Sequence, residues 1–157
     1  MKLILAEPFK SLWAGRDAFH EVEGLQGEVY RELEARRTLR TEVAGNGFFV
    51  KIHRGIGWGE IFKNLLTAKL PVLGARQEWD AIQRLTEVGV ATMTAVAYGE
   101  RGRNPAAQHS FIVTEELAPT TDLEQLSLNW AQQPPEPRLK RELIKEVANM
   151  VGSMHRA

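Results

Sequence analysis

Cysteine is absent from all 157 residues, which excludes a disulfide framework, a thiolate zinc site and a cysteine nucleophile. Histidine is scarce, and His20, His53, His109 and His155 lack a spacing such as H-E-x-x-H that would aim two rings at one metal. Neither sign of charge dominates: 20 Lys and Arg meet 20 Asp and Glu, so the electrostatic footprint of a nucleic-acid binder is missing. The early apolar run Leu3 to Ala6 is too short for a signal peptide. No stretch approaches the roughly 18 apolar residues that a membrane span requires. Internal repeats and low-complexity segments are lacking as well. What remains is an ordinary globular balance, 43% hydrophobic and 25% charged, with length for one compact domain or one and a fraction. The composition predicts a soluble, intracellular chain.

Residues 1–26 read as a short helical lead-in, with Pro8 and Asp17 placed as helix starters before Phe9–Leu12 and Ala18–Val22. From Gly27 the texture becomes β-rich. Glu28–Leu33, Arg36–Val43 and Phe48–His53 have strand length and composition, and Ala44-Gly-Asn-Gly joins the last two as a hairpin turn. Gly55, Gly57 and Gly59 then break the sheet, and Glu60–Leu70 follows as an amphipathic helix. A second helix runs from about Ala75 to Glu87, bounded by Gly74 and Gly89. Two further strands are predicted at Met93–Gly99 and Ser110–Leu117. After Pro119 come a short helix, Leu123–Leu126, the break Pro134-Pro-Glu-Pro, and a last helix, Arg138–Arg156. That helix carries apolar residues at 139, 143, 144, 147, 150, 151 and 154, a band wide enough to require cover on more than one side. It ends without a glycine or asparagine cap, so the chain is expected to be the front part of a longer protein.

Alternation along Phe48–His53 places Phe48, Val50 and Ile52 on one face and Phe49, Lys51 and His53 on the other. A strand lysine is usually a solvated one on a half-buried sheet. The second helix bears on that reading. Ala75, Glu78, Ile82 and Leu85 follow one helical stripe in which Glu78 is the carboxylate, and a carboxylate on an apolar stripe needs a cation or several donors. Solvent and the helix dipole at the first turn are the alternative. The strand Ser110-Phe-Ile-Val-Thr-Glu-Glu-Leu stops abruptly in two acids and a proline-containing linker, which suits either a charged sheet edge or backbone groups left free for a ligand.

The order of these parts resembles the N-terminal lobe of a protein-kinase-like fold. It has an α+β architecture, with a five-stranded antiparallel sheet, a glutamate-bearing helix, a hinge and the first helices of a second lobe. Val50-Lys51-Ile52 resembles an ATP-binding lysine motif, Gly74-Ala-Arg-Gln-Glu78-Trp the start of its partner helix, and Ile112-Val-Thr-Glu-Glu-Leu117 the strand and hinge that hold adenine. Thr114 falls at the gatekeeper position. The closer resemblance is to the lipopolysaccharide core heptose(I) kinase family of Gram-negative bacteria. Leu25-Gln-Gly-Glu-Val-Tyr-Arg-Glu-Leu-Glu, Phe49-Val-Lys-Ile-His-Arg-Gly, Lys63-Asn-Leu-Leu, Leu70-Pro-Val-Leu-Gly-Ala-Arg-Gln-Glu-Trp and Glu116-Leu-Ala-Pro-Thr carry it across essentially the whole chain.

That resemblance divides the chain into a lead-in (1–26), a kinase-like lobe (27–117, with an inserted helix at 55–74) and a hinge with the start of a second lobe (118–157). It implies transfer of the γ-phosphoryl of ATP to the first heptose of the lipopolysaccharide inner core, with Mg²⁺ as the accompanying ion. Lys51 would hold the α- and β-phosphates and Glu78 would orient it. The Leu117 N–H and the Glu115 carbonyl would meet the adenine. Phe49 stands where protein kinases usually have alanine against the base. Phosphate cover falls at Leu33-Glu-Ala-Arg-Arg37, where no glycine lets the backbone approach, leaving Arg36 or Arg37 as side-chain substitutes or as plain solvated arginines. Met154-His155-Arg156 is followed by Ala157, so it is not a His-Arg-Asp base motif. No catalytic base and no metal ligand is expected within these residues, and the chain by itself is expected to be inactive. The expected acceptor is the lipid A-linked core, not nucleic acid. The resemblance places the protein in the cytoplasm, and Trp58, Ile61, Phe62, Leu65 and Leu66 with Lys63 and Lys69 suit either a helix on the inner face of the membrane or ordinary packing on the sheet. Protein partners and oligomeric state have no sequence signal. Two alternatives stay open: a non-catalytic kinase-like module that binds nucleotide or a partner, and a kinase acting on the Kdo sugar.

Overall fold

The computed structural model describes residues 1–66 and 74–156. Contacts divide the chain into two compact units, Met1–Gln83 with Met93–Glu116, and Arg84–Thr92 with Leu117–Ala157.

The first unit is built on one antiparallel sheet of six strands, β1 (Lys2–Leu5), β2 (Glu28–Leu33), β3 (Arg36–Val43), β4 (Asn46–His53), β5 (Ala95–Arg101) and β6 (His109–Glu115), in the spatial order β1-β5-β6-β4-β3-β2. Five strands were expected. The sixth, β1, lies in the stretch read as helical and pairs with β5 from Lys2↔Glu100 to Leu5↔Ala97. Its side chains are exposed except for a half-buried Leu5, so alternation had nothing to show there. The β3–β4 hairpin turns on Ala44 and Gly45, both at positive φ (51° and 78°), the geometry that matches strand twist in a two-residue connection. Glycine adopts this without cost, whereas Ala44 does so against its usual preference.

The two faces of the sheet bury different partners. On one, α1 (Phe9–Leu12) and α2 (Ala18–Glu23) press Phe9, Trp13, Phe19 and Val22 onto Leu39, Phe48, Val50, Ile52, Phe111 and Val113. Asp17 caps α2 by accepting the Phe19 N–H at 2.9 Å. Edge-to-face contacts tie the layers together, Phe9 to Phe48 at 5.0 Å and Phe19 to Phe111 at 5.1 Å. The lead-in is therefore part of the core.

Two helices follow β4 in the chain, α3 (Gly57–Leu66) and α4 (Arg76–Glu87), and the other face of the sheet receives α4. The expected end of the inserted helix, residues 67–70, lies outside the described residues. In α3, Ile61 is buried while Trp58, Phe62 and Leu66 are exposed. Ala75, Trp79 and Ile82 pack on Tyr98 and Ile112, with Trp79 stacked on Tyr98 at 5.0 Å. Ser110 on the same face accepts the Ala75 N–H at 3.0 Å, which fixes where α4 starts.

In the second unit, α5 (Leu123–Ser127) is capped by Asp122, which accepts the Gln125 N–H at 2.7 Å, and α6 spans Pro137–Arg156. The wide apolar band of α6 is there, with Leu139, Ile144, Met150, Val151 and Met154 exposed.

Candidate functional site

Alternation along β4 is obeyed. Phe48, Val50 and Ile52 enter the core, and Lys51 stands on the face that α4 covers, opposite Ile112 of β6 and Thr38 of β3. From there its Nζ donates to Oε1 of Glu78, in the first turn of α4, at 2.7 Å. The two side chains keep 38% and 28% of their surface exposed. A pair that wet contributes at most about 1 kcal/mol to stability. Its consequence is positional: it holds an ammonium at a fixed point of the cleft.

The cleft has a volume of about 440 Å³, and Arg31, Arg36, Arg37, Thr38, Ile52, His53, Gly74 and Gln77 line it together with Lys51 and Glu78. Arg36 pairs with His53 in register and so shares the Lys51 face. Arg37 stands opposite Ile52, a core residue, and its side chain works on the other side of the sheet. Its Nη1 donates to the Glu23 carbonyl at 2.9 Å and its Nε lies 3.0 Å from the Glu32 carboxylate. Both arginines thus border the cleft, while register turns their side chains to opposite faces of the sheet.

Arg31 was not singled out from the sequence. Pairing runs Glu28↔Arg40 and Val29↔Leu39, then shifts so that Arg31 meets Thr38. This bulge leaves Tyr30 as the extra residue and brings Arg31 into the lining of the cleft. The Tyr30 ring lies 5.6 Å from that of Phe49. No glycine marks the bulge, so only the paired register reveals it.

His53 lines the cleft and is 8% exposed. Burial, with Arg36 and Lys51 nearby and only partly opposed by Glu78, pushes its pKa down to about 4. The imidazole is therefore neutral at physiological pH. Behind it, Arg54 clamps the β2–β3 hairpin. Its guanidinium donates to both Glu23 oxygens at 2.9 and 2.8 Å, and its backbone N–H to the Ala35 carbonyl at 2.9 Å. The Arg54 bond holds the Glu23 carboxyl below its usual range.

Thr114 is buried and in register with Phe49, while Glu115 at the end of β6 is exposed. Leu117 belongs to the second unit, where its carbonyl accepts the Thr120 hydroxyl at 2.6 Å. Glu116, not among the expected residues, makes a bidentate pair with Arg40 at 2.7 Å on both oxygens, and its backbone N–H donates to the Gly47 carbonyl at 2.9 Å. A Cβ at Gly47 would meet that carboxylate, so a larger residue there would have to displace the Glu116 side chain from its present position. Among the described residues no group of three or more His, Asp or Glu side chains is arranged to hold a metal ion. Glu78, the acid of the cleft lining, is engaged by Lys51.

Comparison with known proteins places this geometry in context. The family model described as the lipopolysaccharide kinase (Kdo/WaaP) family matches residues 20–157. The lipopolysaccharide core heptose(I) kinase WaaP of Pseudomonas aeruginosa is 76% identical over 157 residues, all of this chain and 59% of its own length. The protein of the same name from Escherichia coli is 58% identical over 153 residues, 98% of this chain and 58% of its own length. A solved structure described as WaaP in complex with acyl carrier protein superposes with a TM-score of 0.86 at 66% identity, covering all of this chain and 58% of that one. The chain thus spans somewhat under three fifths of the relatives it matches. With a kinase-like α+β fold, a lysine–glutamate pair across sheet and helix, and a family match over most of its length, the chain belongs to the lipopolysaccharide kinase (Kdo/WaaP) family.

Proposed function

We propose that this chain is the nucleotide-holding part of a kinase that transfers the γ-phosphoryl of ATP to a hydroxyl of the first heptose in the lipopolysaccharide inner core. The observation that carries the reading is the Lys51–Glu78 pair at 2.7 Å inside a cleft whose lining adds Arg31, Arg36 and Arg37 and, among the described residues, no further acid. Such a cleft offers cations to a polyphosphate and has the size of a small-ligand site, roughly 300–1,000 Å³. In transfer, the bond from the γ-phosphorus to the bridging oxygen breaks as one to the sugar oxygen forms, and a base accepts the hydroxyl proton. Positioning and charge neutralisation carry most of the catalysis in such reactions. Lys51 meets the α- and β-phosphates as a point charge, and Glu78 keeps it there. Phe49 and Thr114 line the adenine end, and the Glu115 carbonyl is the backbone acceptor for the base. No His-Arg-Asp run occurs in the sequence, so binding and orientation are the work of these residues and proton removal is not. Mg²⁺ that accompanies the nucleotide would be held largely by the phosphates themselves, and no step here runs through a metal.

Identity of 76% to a heptose(I) kinase supports heptose over Kdo as the acceptor. The solved relative is described with acyl carrier protein, and we extend that association to the full-length form of this protein. The setting we assign is cytoplasmic, with Trp58, Phe62 and Leu66 of α3 facing the membrane that carries the acceptor. Among the described residues no helix is long and apolar enough to cross a membrane. The test is phosphate transfer from γ-labelled ATP to heptose-terminated core by the naturally expressed protein. Wild type should label the core and Lys51→Ala should not, with the fold intact by thermal melting. Normal turnover by a folded Lys51→Ala protein would sink the reading.

A further inference from the structure

We propose that the bulge in β2 does the work of the missing glycine-rich loop: Tyr30 closes over the adenine beside Phe49, and Arg31, together with Arg36, takes the charge of the distal phosphates. The inference rests on the ATP reading above and adds residues to it.

A hairpin without a bulge, continuing from Val29↔Leu39, would pair Tyr30 with Thr38 and Arg31 with Arg37. Arg31 would then face α2, as Arg37 does. The observed shift pairs Arg31 with Thr38 instead, and Thr38 is itself opposite Lys51. Arg31 and Lys51 therefore stand two strands apart in one transverse row, about 10 Å between Cα atoms at the usual strand spacing. Long side chains from both ends of that separation can meet one ligand. Arg31 and Arg36 both line the cleft with Lys51. A guanidinium suits a phosphate because two parallel N–H donors match two oxygens.

The extra residue of the bulge fits the other end of a nucleotide. The Tyr30 ring stays on the cleft face, 5.6 Å from Phe49 at an interplanar angle of 64°. With 59% of its surface exposed, it has room to cover a base. Phe49 lies two residues from Lys51 on β4, about 7 Å along the strand. Aromatic rings and cations thus follow one another in the order of base and phosphates.

The hairpin tip also explains why side chains are needed. Arg54 ties it to β4 through the Ala35 carbonyl and to α2 through Glu23. Leu33-Glu-Ala-Arg-Arg37 contains no glycine. A tethered, glycine-free turn does not wrap its backbone N–H groups around phosphate, so the contacts have to come from side chains.

The experiment compares ATP and adenosine binding, by calorimetry and competition, in the naturally expressed protein and its Arg31→Gln, Tyr30→Ala, Tyr30→Phe and Lys51→Ala variants. Loss of a charged phosphate contact should make Arg31→Gln bind ATP about tenfold more weakly, with adenosine unchanged. Loss of a stacking ring should make Tyr30→Ala weaken ATP and adenosine alike, on the order of tenfold, while Tyr30→Phe stays near wild type. If Lys51→Ala loses ATP but Arg31→Gln and Tyr30→Ala bind it as wild type does, the bulge has no such role and the ATP reading stands. Equal weakening of ATP and adenosine by Arg31→Gln would also overturn it. If Lys51→Ala binds ATP normally, the site itself is wrong and the inference falls with it.

Discussion

His53 gives the cleft a measurable pH dependence. Its folded pKa is pushed from about 6.5 down to about 4, by burial first and then by Arg36 and Lys51, against a partial pull upward from Glu78. At pH 7.5 the ring is neutral in both folded and unfolded chains and contributes nothing to the pH slope. As pH falls through 6.5 the unfolded chain takes up a proton that the folded one refuses, so stability drops until the folded ring protonates near pH 4. A gap of about 2.5 units at 1.36 kcal/mol per unit sets an upper limit of about 3.4 kcal/mol for the loss. The limiting slope is about 1.4 kcal/mol per pH unit for one proton. The His109 pKa is also lowered by burial and adds to the wild-type slope, so the variant difference is the quantity to measure. Urea unfolding of wild type and His53→Gln at pH 7.5, 6.5, 5.5 and 4.5 isolates it. The wild-type curve should fall more steeply by roughly 2–3 kcal/mol over that range, a difference discounted from the limit above. Parallel curves would refute the argument, because they would mean His53 protonates as readily folded as unfolded.

Two further outcomes concern what supports the site. Phe19 is 2% exposed, contacts Phe111 at 5.1 Å and has the Arg101 guanidinium 4.3 Å above its ring. Phe19→Ala should cost about 3–5 kcal/mol in chemical denaturation, and a loss under 1 would mean the lead-in is not integral to the core. Glu23→Gln removes the charge that Arg54 grips and that lies 3.3 Å from His109, and should cost about 1–3 kcal/mol at pH 7. Because the Glu23 pKa is lowered, the wild-type advantage exists above about pH 4.5 and vanishes as pH falls through the folded value, so the two proteins should converge in acid.

Much of this was legible in the residues. Strong alternation fixed the faces of β4 and puts Lys51 on the face opposite Phe48, Val50 and Ile52. The carboxylate on an apolar helical stripe pointed to Glu78, and the two meet. Turn chemistry marked the β3–β4 hairpin, although the positive φ fell on Ala44 and Gly45 rather than on Asn46. What escaped depended on pairing between strands. β1 is a short edge strand whose residues are mostly exposed, and only its partner β5 defines it. The β2 bulge is a register event with no marker residue, so Arg31 and Tyr30 went unseen. Register also divides Arg36 from Arg37, which adjacency in sequence could not rank. Glu116 takes its role from Arg40, 76 positions away.

The most direct measurement asks which lysine lies beside a bound nucleotide's phosphates. An acyl-phosphate derivative of ATP, incubated with the naturally expressed protein and mapped by peptide mass spectrometry, transfers its acyl group to an amine within reach. The account predicts modification at Lys51, suppressed by excess ATP and made slower by Glu78→Gln, which releases the ammonium from its 2.7 Å partner. ATP-protected labelling at another lysine, with Lys51 unmodified, would contradict it.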